Sequence, residues 1–176
     1  MEIEGLLTYP VDYAEGTRVP LILVIHGGPM GVFTQTFTGS RGLYPVATFA
    51  AQGYAVLRPN PRGSSGYGKQ FRMANFKDWG GGDYADIMAG VDKVITLGVA
   101  DPKRMAVMGW SYGGFMTSWV IGHTDRFQAA CVGAAVTNLW SFTGTSDILD
   151  FLPGYFGGEP WDNMKAYHKH SPMSRT

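Results

Sequence analysis

The stretch VMGWSYGGFM, Val107 to Met116, decides how this chain folds. A run of strand-forming residues ends at Trp110, a run of helical character begins at Tyr112, and a lone serine, Ser111, stands between them. Gly109 and Gly113 flank that serine, two places away on either side. A strand that turns at once into a helix forces the residue at the vertex into a sparsely populated backbone conformation. Bulky side chains two residues before and after it would collide across so sharp a turn. The spacing therefore predicts a strand–serine–helix junction, with Gly114 letting the new helix sit close to the sheet. In such a G-x-S-x-G elbow the serine oxygen rises above the carboxyl ends of the strands, poised as a nucleophile. A structural turn is the competing reading, because five residues match by chance. The strand before and the helix after favour the elbow.

Upstream, VPLILVIHGGP carries a continuous apolar run from Val19 to Ile25, the pattern of a strand buried on both faces. It stops at Gly27, Gly28 and Pro29. EIEGLLTYP reads as an edge strand closed by Pro10, GLYPVATFAAQG as a helix ending at Gly53, and YAVLRPNP as a second strand closed by prolines. RGSSGYGKQF reads as a glycine–serine loop. In the next segment Tyr84, Ile87, Met88, Val91, Val94 and Ile95 recur at helical intervals, with Asp83, Asp86, Asp92 and Lys93 expected on the opposite, polar face. Gly98 follows as a C-terminal cap. RMAVMGW is then a strand, GGFMTSWVIGH a helix and FQAACVGAAV a further strand. Strands alternating with helices predict an α/β architecture, a mostly parallel sheet with crossover helices. After Val136 the pattern changes to aromatics, prolines and glycines, expected as short helices and loops over the sheet edge.

The bulk numbers fit one domain. The chain has 176 residues, with 14 Lys plus Arg against 14 Asp plus Glu, so no basic field exists to hold nucleic acid or an anionic membrane. No stretch has the length and apolarity to span a bilayer, and MEIEGLLTYP lacks the features of a signal peptide. A cytoplasmic location is the expectation. Nothing in the motifs asks for a metal or a cofactor. The single cysteine, Cys131, is expected to be a buried, inert thiol.

A serine nucleophile implies acyl transfer, in which negative charge develops on a carbonyl oxygen and must be met by preorganised donors. HGGP, His26 to Pro29, ends an earlier parallel strand, and a glycine pair lets backbone amides point at one spot. Gly28 is the candidate for the first donor, with Gly27 as the alternative. The second is the amide of the residue after the nucleophile, Tyr112.

IHGGP, RPNPRGSSGYG, GWSYGG and GHTDRFQAACVGAAVTN, in that order, resemble the catalytic domain of the prolyl oligopeptidase family of serine peptidases, nearest its acylaminoacyl-peptidase-like branch. The resemblance runs from about Glu2 to Met173. It implies an α/β-hydrolase fold and hydrolysis of short or blocked peptides through an acyl-enzyme at Ser111, with a peptide as the partner. It also implies a side-chain contribution to the oxyanion site from the position of His26, where relatives can carry tyrosine. A substrate pocket lined by aromatics after the last strand is implied too, with Trp140 and Phe142 as candidates beside the Tyr112 ring. Core packing is the alternative for both.

A serine hydroxyl needs a histidine base oriented by a carboxylate. In this fold the order is Ser, then Asp or Glu, then His, each acid and base following a later strand. Asp147 or Asp150 with His168 or His170 come in that order, but none follows a strand. His123 reads as a surface or cap residue. The chain is therefore expected to be part of a catalytic domain, residues 1–176, and the resemblance implies a propeller-type domain before it and further strands after it. The rival functions are an esterase or thioesterase of the same fold, and a non-catalytic binding domain.

Overall fold

The computed structural model describes residues 1–38 and 42–175. Its centre is a five-stranded sheet in the order β1-β3-β2-β4-β5. The strands are β1 (Glu4–Thr8), β2 (Val19–Ile25), β3 (Ala55–Asn60), β4 (Ala100–Trp110) and β5 (Ala129–Gly133). β1 runs antiparallel to β3 at one edge, while β2, β3, β4 and β5 are mutually parallel. The mostly parallel sheet expected from the alternating pattern is present.

Helices cover both faces, and the strand residues alternate accordingly. Leu21, Leu23 and Ile25 join a large cluster with α3 (Gly82–Thr96) and α4 (Tyr112–Ile121), whereas Ile22 and Val24 pack with Val46 of α1 (Val46–Ala51) on the other side. Leu21, Leu23, Val24 and Ile25 are wholly buried. Each such side chain contributes about 1.5–3 kcal/mol by leaving water, which is why the uninterrupted apolar run reads as a central strand.

The order of connections places the site. From β2 the chain crosses through α1 to β3 on one side, then returns through α3 to β4 on the other side of β2. The direction of winding thus reverses between β2 and β4, and ligands in open α/β sheets bind beyond the carboxyl ends of the strands at such a reversal. The residues that follow β2 and β4 are His26-Gly27-Gly28 and Ser111.

Two short-range expectations change. The glycine–serine stretch is a loop only as far as Tyr67, and α2 (Gly68–Arg72) begins directly after it, anchored by buried Phe71. The C-terminal segment does form short helices, α5 (Leu139–Thr145), α6 (Phe151–Phe156), α7 (Met164–Lys169) and a 3-10 turn (Pro172–Arg175). They do more than skirt the sheet edge: Leu139, Leu152, Phe156 and Tyr167 belong to the same buried cluster as Trp79 and Phe115. No helix among the described residues is long and apolar enough to cross a membrane.

Candidate active site

Ser111 caps the N-terminus of α4 with φ 62° and ψ −119°, a conformation rare for any residue with a side chain. Holding it costs on the order of 1–3 kcal/mol, supplied by the surrounding packing. Its amide donates to the Gly133 carbonyl at 3.0 Å and its carbonyl accepts from the Phe115 amide at 2.9 Å. The flanking glycines are required sterically. A Cβ on Gly109 would lie 2.3 Å from the Gly113 carbonyl oxygen, and one on Gly113 would lie 2.1 Å from that of Ile25. On Gly114 it would meet the Gly133 carbonyl oxygen at 2.2 Å, so α4 presses directly on β5. The elbow is formed as its spacing predicts.

The loop after β2 lies against this vertex. A Cβ added to Gly27 would stand 3.2 Å from the Trp110 carbonyl oxygen and 4.0 Å from the Ser111 hydroxyl oxygen. Gly28 has φ 130° and is followed by a cis bond to Pro29. Its amide is bonded directly to the Gly27 carbonyl carbon, so this donor starts from a residue whose side-chain position faces Ser111. The Gly27 carbonyl itself accepts from the Gly31 amide at 3.2 Å and faces the His26 Nδ1 at 2.8 Å. His26 is buried, with its Nε2 3.0 Å from the Ser64 hydroxyl. Burial lowers its pKa, only partly opposed by the Gly27 carbonyl, so the ring is held neutral. Both ring nitrogens are thereby engaged in bracing the loop.

Tyr112 opens α4, which puts its amide at the first turn of the helix, unpaired within it. The Tyr112 ring, expected to border the substrate pocket, instead points into the core. It is 2 % exposed, edge-on to Trp79 and stacked on Phe115. Its hydroxyl donates to the Asp83 carboxylate.

Asp83 and Asp86, expected on the polar face of α3, are both buried. The segment between β3 and α3, α2 included, folds over the first turn of that helix and supplies Gly80 and Arg62 as partners. Asp83 accepts the Gly80 and Tyr84 amides, each at 2.8 Å. Asp86 accepts the Arg62 amide at 2.9 Å and its guanidinium at 2.8 and 2.7 Å. Burial raises the Asp83 pKa to about 7 against the lowering effect of its hydrogen bonds. The signal that could have located this pair is their helical spacing beside buried Ile87. Tyr44, which the sequence did not single out, ties the two site loops together: its hydroxyl donates to the Ile25 carbonyl at 2.9 Å and accepts from the Trp110 amide at 3.0 Å.

A cleft of about 750 Å³ opens beside the loop after β2, lined among others by Met30, Ser65, Lys69, Arg72, Phe151 and Tyr155. Neither expected aromatic lines it: Trp140 is 41 % exposed and Phe142 packs half-buried against the core.

The candidate acids and bases are scattered. Asp147 and His168 are exposed, and Asp150 borders the cleft. His170 is buried with Nδ1 2.6 Å from the Trp79 carbonyl, and His123 lies on Trp119 with Nδ1 2.7 Å from that residue's carbonyl. The Cys131 thiol, expected to be buried, is exposed among the described residues, where β5 pairs with β4. No group of three or more His, Cys, Asp or Glu with metal-binding geometry occurs among the described residues.

Comparison with known proteins bears on this geometry. Residues 43–176 match the sequence model of the Prolyl oligopeptidase family. The uncharacterized peptidase YuxL of Bacillus subtilis is 45% identical over 155 residues, 88% of this chain and 22% of that protein. Dipeptidyl-peptidase 5 of Schizosaccharomyces pombe is 34% identical over 98% of this chain and 25% of its own length. The chain thus spans about a quarter of the curated relatives it matches. An acylaminoacyl peptidase solved in complex with Z-Gly-Gly-Phe-chloromethyl ketone superposes with a TM-score of 0.88 at 30% identity, covering 99% of this chain and 28% of that one. The sheet and its helices are accordingly an α/β-hydrolase fold.

Proposed function

The chain belongs to the prolyl oligopeptidase family, and from that premise we propose that it carries the nucleophile and oxyanion site of a serine peptidase acting on short or blocked peptides. The observation that carries this reading is Ser111, exposed at the strand–helix vertex in a strained conformation and lying against Gly27. Strain that persists at one exposed serine is a functional signature, since an ordinary turn would relax it.

In the reaction the Ser111 Oγ attacks the peptide carbonyl carbon while its proton passes to a base. The resulting oxyanion takes hydrogen bonds from the Gly28 and Tyr112 amides. The C–N bond then breaks, the amine leaves with the proton, and the acyl ester on Ser111 is hydrolysed by water. His26 supports this by holding the Gly27 carbonyl and thus the loop, with both ring nitrogens engaged. The cleft bordered by Met30, Phe151 and Tyr155 suits an apolar substrate side chain better than Trp140 and Phe142 do.

The base and its carboxylate are proposed to come from residues beyond these 176. His26 has both ring nitrogens engaged, by the Gly27 carbonyl and the Ser64 hydroxyl, His123 lies on Trp119, His170 is buried against the Trp79 carbonyl, and His168 is exposed on α7. The test is fluorophosphonate labelling of the full-length protein beside Ser111→Ala. Fast, stoichiometric labelling at Ser111, abolished in the variant, is the expected result, together with cleavage of a blocked peptide anilide. Labelling that survives in Ser111→Ala would overturn the assignment. Equally fast labelling of residues 1–176 alone would locate the base within them.

A further inference from the structure

The Asp83–Tyr112 pair has no role in the steps above, yet it is a fully buried polar contact beside the nucleophile. Both residues are essentially inaccessible. Packing alone does not explain it: phenylalanine would fill the ring's place between Trp79 and Phe115 without needing an acid. A buried carboxylate is costly to keep, and here burial is what dominates its ionisation. Groups retained at such cost beside a reactive centre are candidates for function.

The backbone gives the pair something to do. The Ser111 ψ of −119° sets the plane of the Ser111–Tyr112 peptide, and so the direction in which the Tyr112 amide points. That torsion belongs to a strained residue and would relax if nothing opposed it. Rotating the peptide drags the Tyr112 Cα and its ring. The ring is gripped along its length by Trp79 at 5.0 Å and Phe115 at 5.5 Å between centroids, and at its tip by Asp83. Asp83 is itself fixed by the Gly80 and Tyr84 amides. The Asn75 amide also faces the Tyr112 hydroxyl, but without hydrogen-bond geometry, so the carboxylate is the firm anchor.

We propose that Asp83 is a positioning residue for acyl transfer: by holding the Tyr112 hydroxyl it aims the Tyr112 amide at the developing oxyanion. This rests on the reading of Ser111 as nucleophile. A misaimed oxyanion donor weakens transition-state binding more than substrate binding, so the loss falls on kcat.

The experiment measures kcat and KM of the full-length protein on a blocked peptide anilide, each variant assayed well below its own Tm. Tyr112→Phe keeps the ring and removes only the anchored hydroxyl. It is expected to lower kcat about 10-fold with KM within about 2-fold. Asp83→Ala should do the same, and Asp83→Asn, which can still hold the hydroxyl, should recover most of the loss. Val94→Ala, in the core of α3, lowers Tm as a control and should leave kcat unchanged. If Tyr112→Phe lowers Tm but keeps kcat within about 2-fold while Ser111→Ala is inactive, the pair is structural and the inference is overturned alone. Activity surviving in Ser111→Ala would overturn the acyl-transfer reading and this inference with it.

Discussion

The hydroxyl of Tyr44 accepts a hydrogen bond from the Trp110 amide at 3.0 Å, joining a residue from before α1 to the last residue of β4. It also donates to the Ile25 carbonyl, the last of β2. One side chain thus spans the gap where the sheet changes its direction of winding, and the two loops that approach Ser111 are held at a fixed separation.

Tyr44→Phe should therefore cost about 1–3 kcal/mol, since it removes the hydroxyl's bonds to the Trp110 amide and the Ile25 carbonyl while preserving the ring. Activity should fall together with stability, because Gly27 and Ser111 lose a shared tether. Urea unfolding and turnover of the full-length protein check this; a variant indistinguishable in both would show that water replaces the hydroxyl at no cost.

The glycines of α4 and α5 should respond oppositely to alanine. Gly113→Ala would drive a methyl to 2.1 Å from the Ile25 carbonyl oxygen, a backbone atom that cannot move aside. Loss of more than about 3 kcal/mol or failure to fold is expected, as for overpacking against rigid structure. Gly144, inside α5, has nothing within 4 Å of its would-be Cβ. Gly144→Ala should stabilise by about 0.5–1 kcal/mol through helix propensity. Denaturation midpoints of the two variants, measured side by side, decide the matter.

The Arg62–Asp86 pair predicts a third outcome. Three donors converge on one carboxylate, two of them in the forked geometry only a guanidinium provides. Arg62→Lys keeps the charge but cannot span both oxygens, and should cost about 1–2 kcal/mol. The loop bearing Ser64, partner of His26, should loosen with it. Hydrogen exchange at Gly63 and Ser64 would report this, and unchanged protection there would count against it.

What the sequence revealed follows from the kind of force involved. The elbow was legible at Gly109, Ser111 and Gly113 because a steric requirement is written directly in residue identity. β2 was legible because burial on both faces leaves an unbroken apolar run, whereas β3, interrupted by Arg58 and Asn60, was legible only as a short strand closed by prolines. Asp83 and Asp86 were misread because charge on a helix ordinarily marks solvent, and only the fold of residues 62–82 over α3 covers them. Cys131 differs in the reverse sense: AACVG looks like core, yet among the described residues β5 pairs with β4 alone and its side chains are exposed. Tyr44 left no local signal, since its partners Ile25 and Trp110 are distant in the chain and offer only backbone. The Tyr112 ring was placed in a pocket by analogy of position, whereas its direction is set by Asp83.

Asp83 should make the stability of the fold depend on pH. Burial raises the Asp83 pKa from 3.8 to about 7, while Tyr112, raised well above its usual value by the same burial, stays protonated. The charged groups acting on this region are Asp78, which adds to the rise at Asp83, and Arg62, whose charge interacts with Asp83. Because the folded state binds the proton more tightly than the unfolded chain, the contribution of this group is fully present below pH 3.8 and declines as the pH climbs through about 7. A rise of this size corresponds to on the order of 4 kcal/mol over that whole range. Asparagine does not titrate, so Asp83→Asn removes the slope. Relative to wild type the variant should gain about 2–3 kcal/mol between pH 5 and pH 8, whatever its offset. Urea unfolding of both proteins across that range measures the difference directly. A difference that stays flat would mean that Asp83 remains ionised throughout, held by the Gly80, Tyr84 and Tyr112 donors against the cost of its burial.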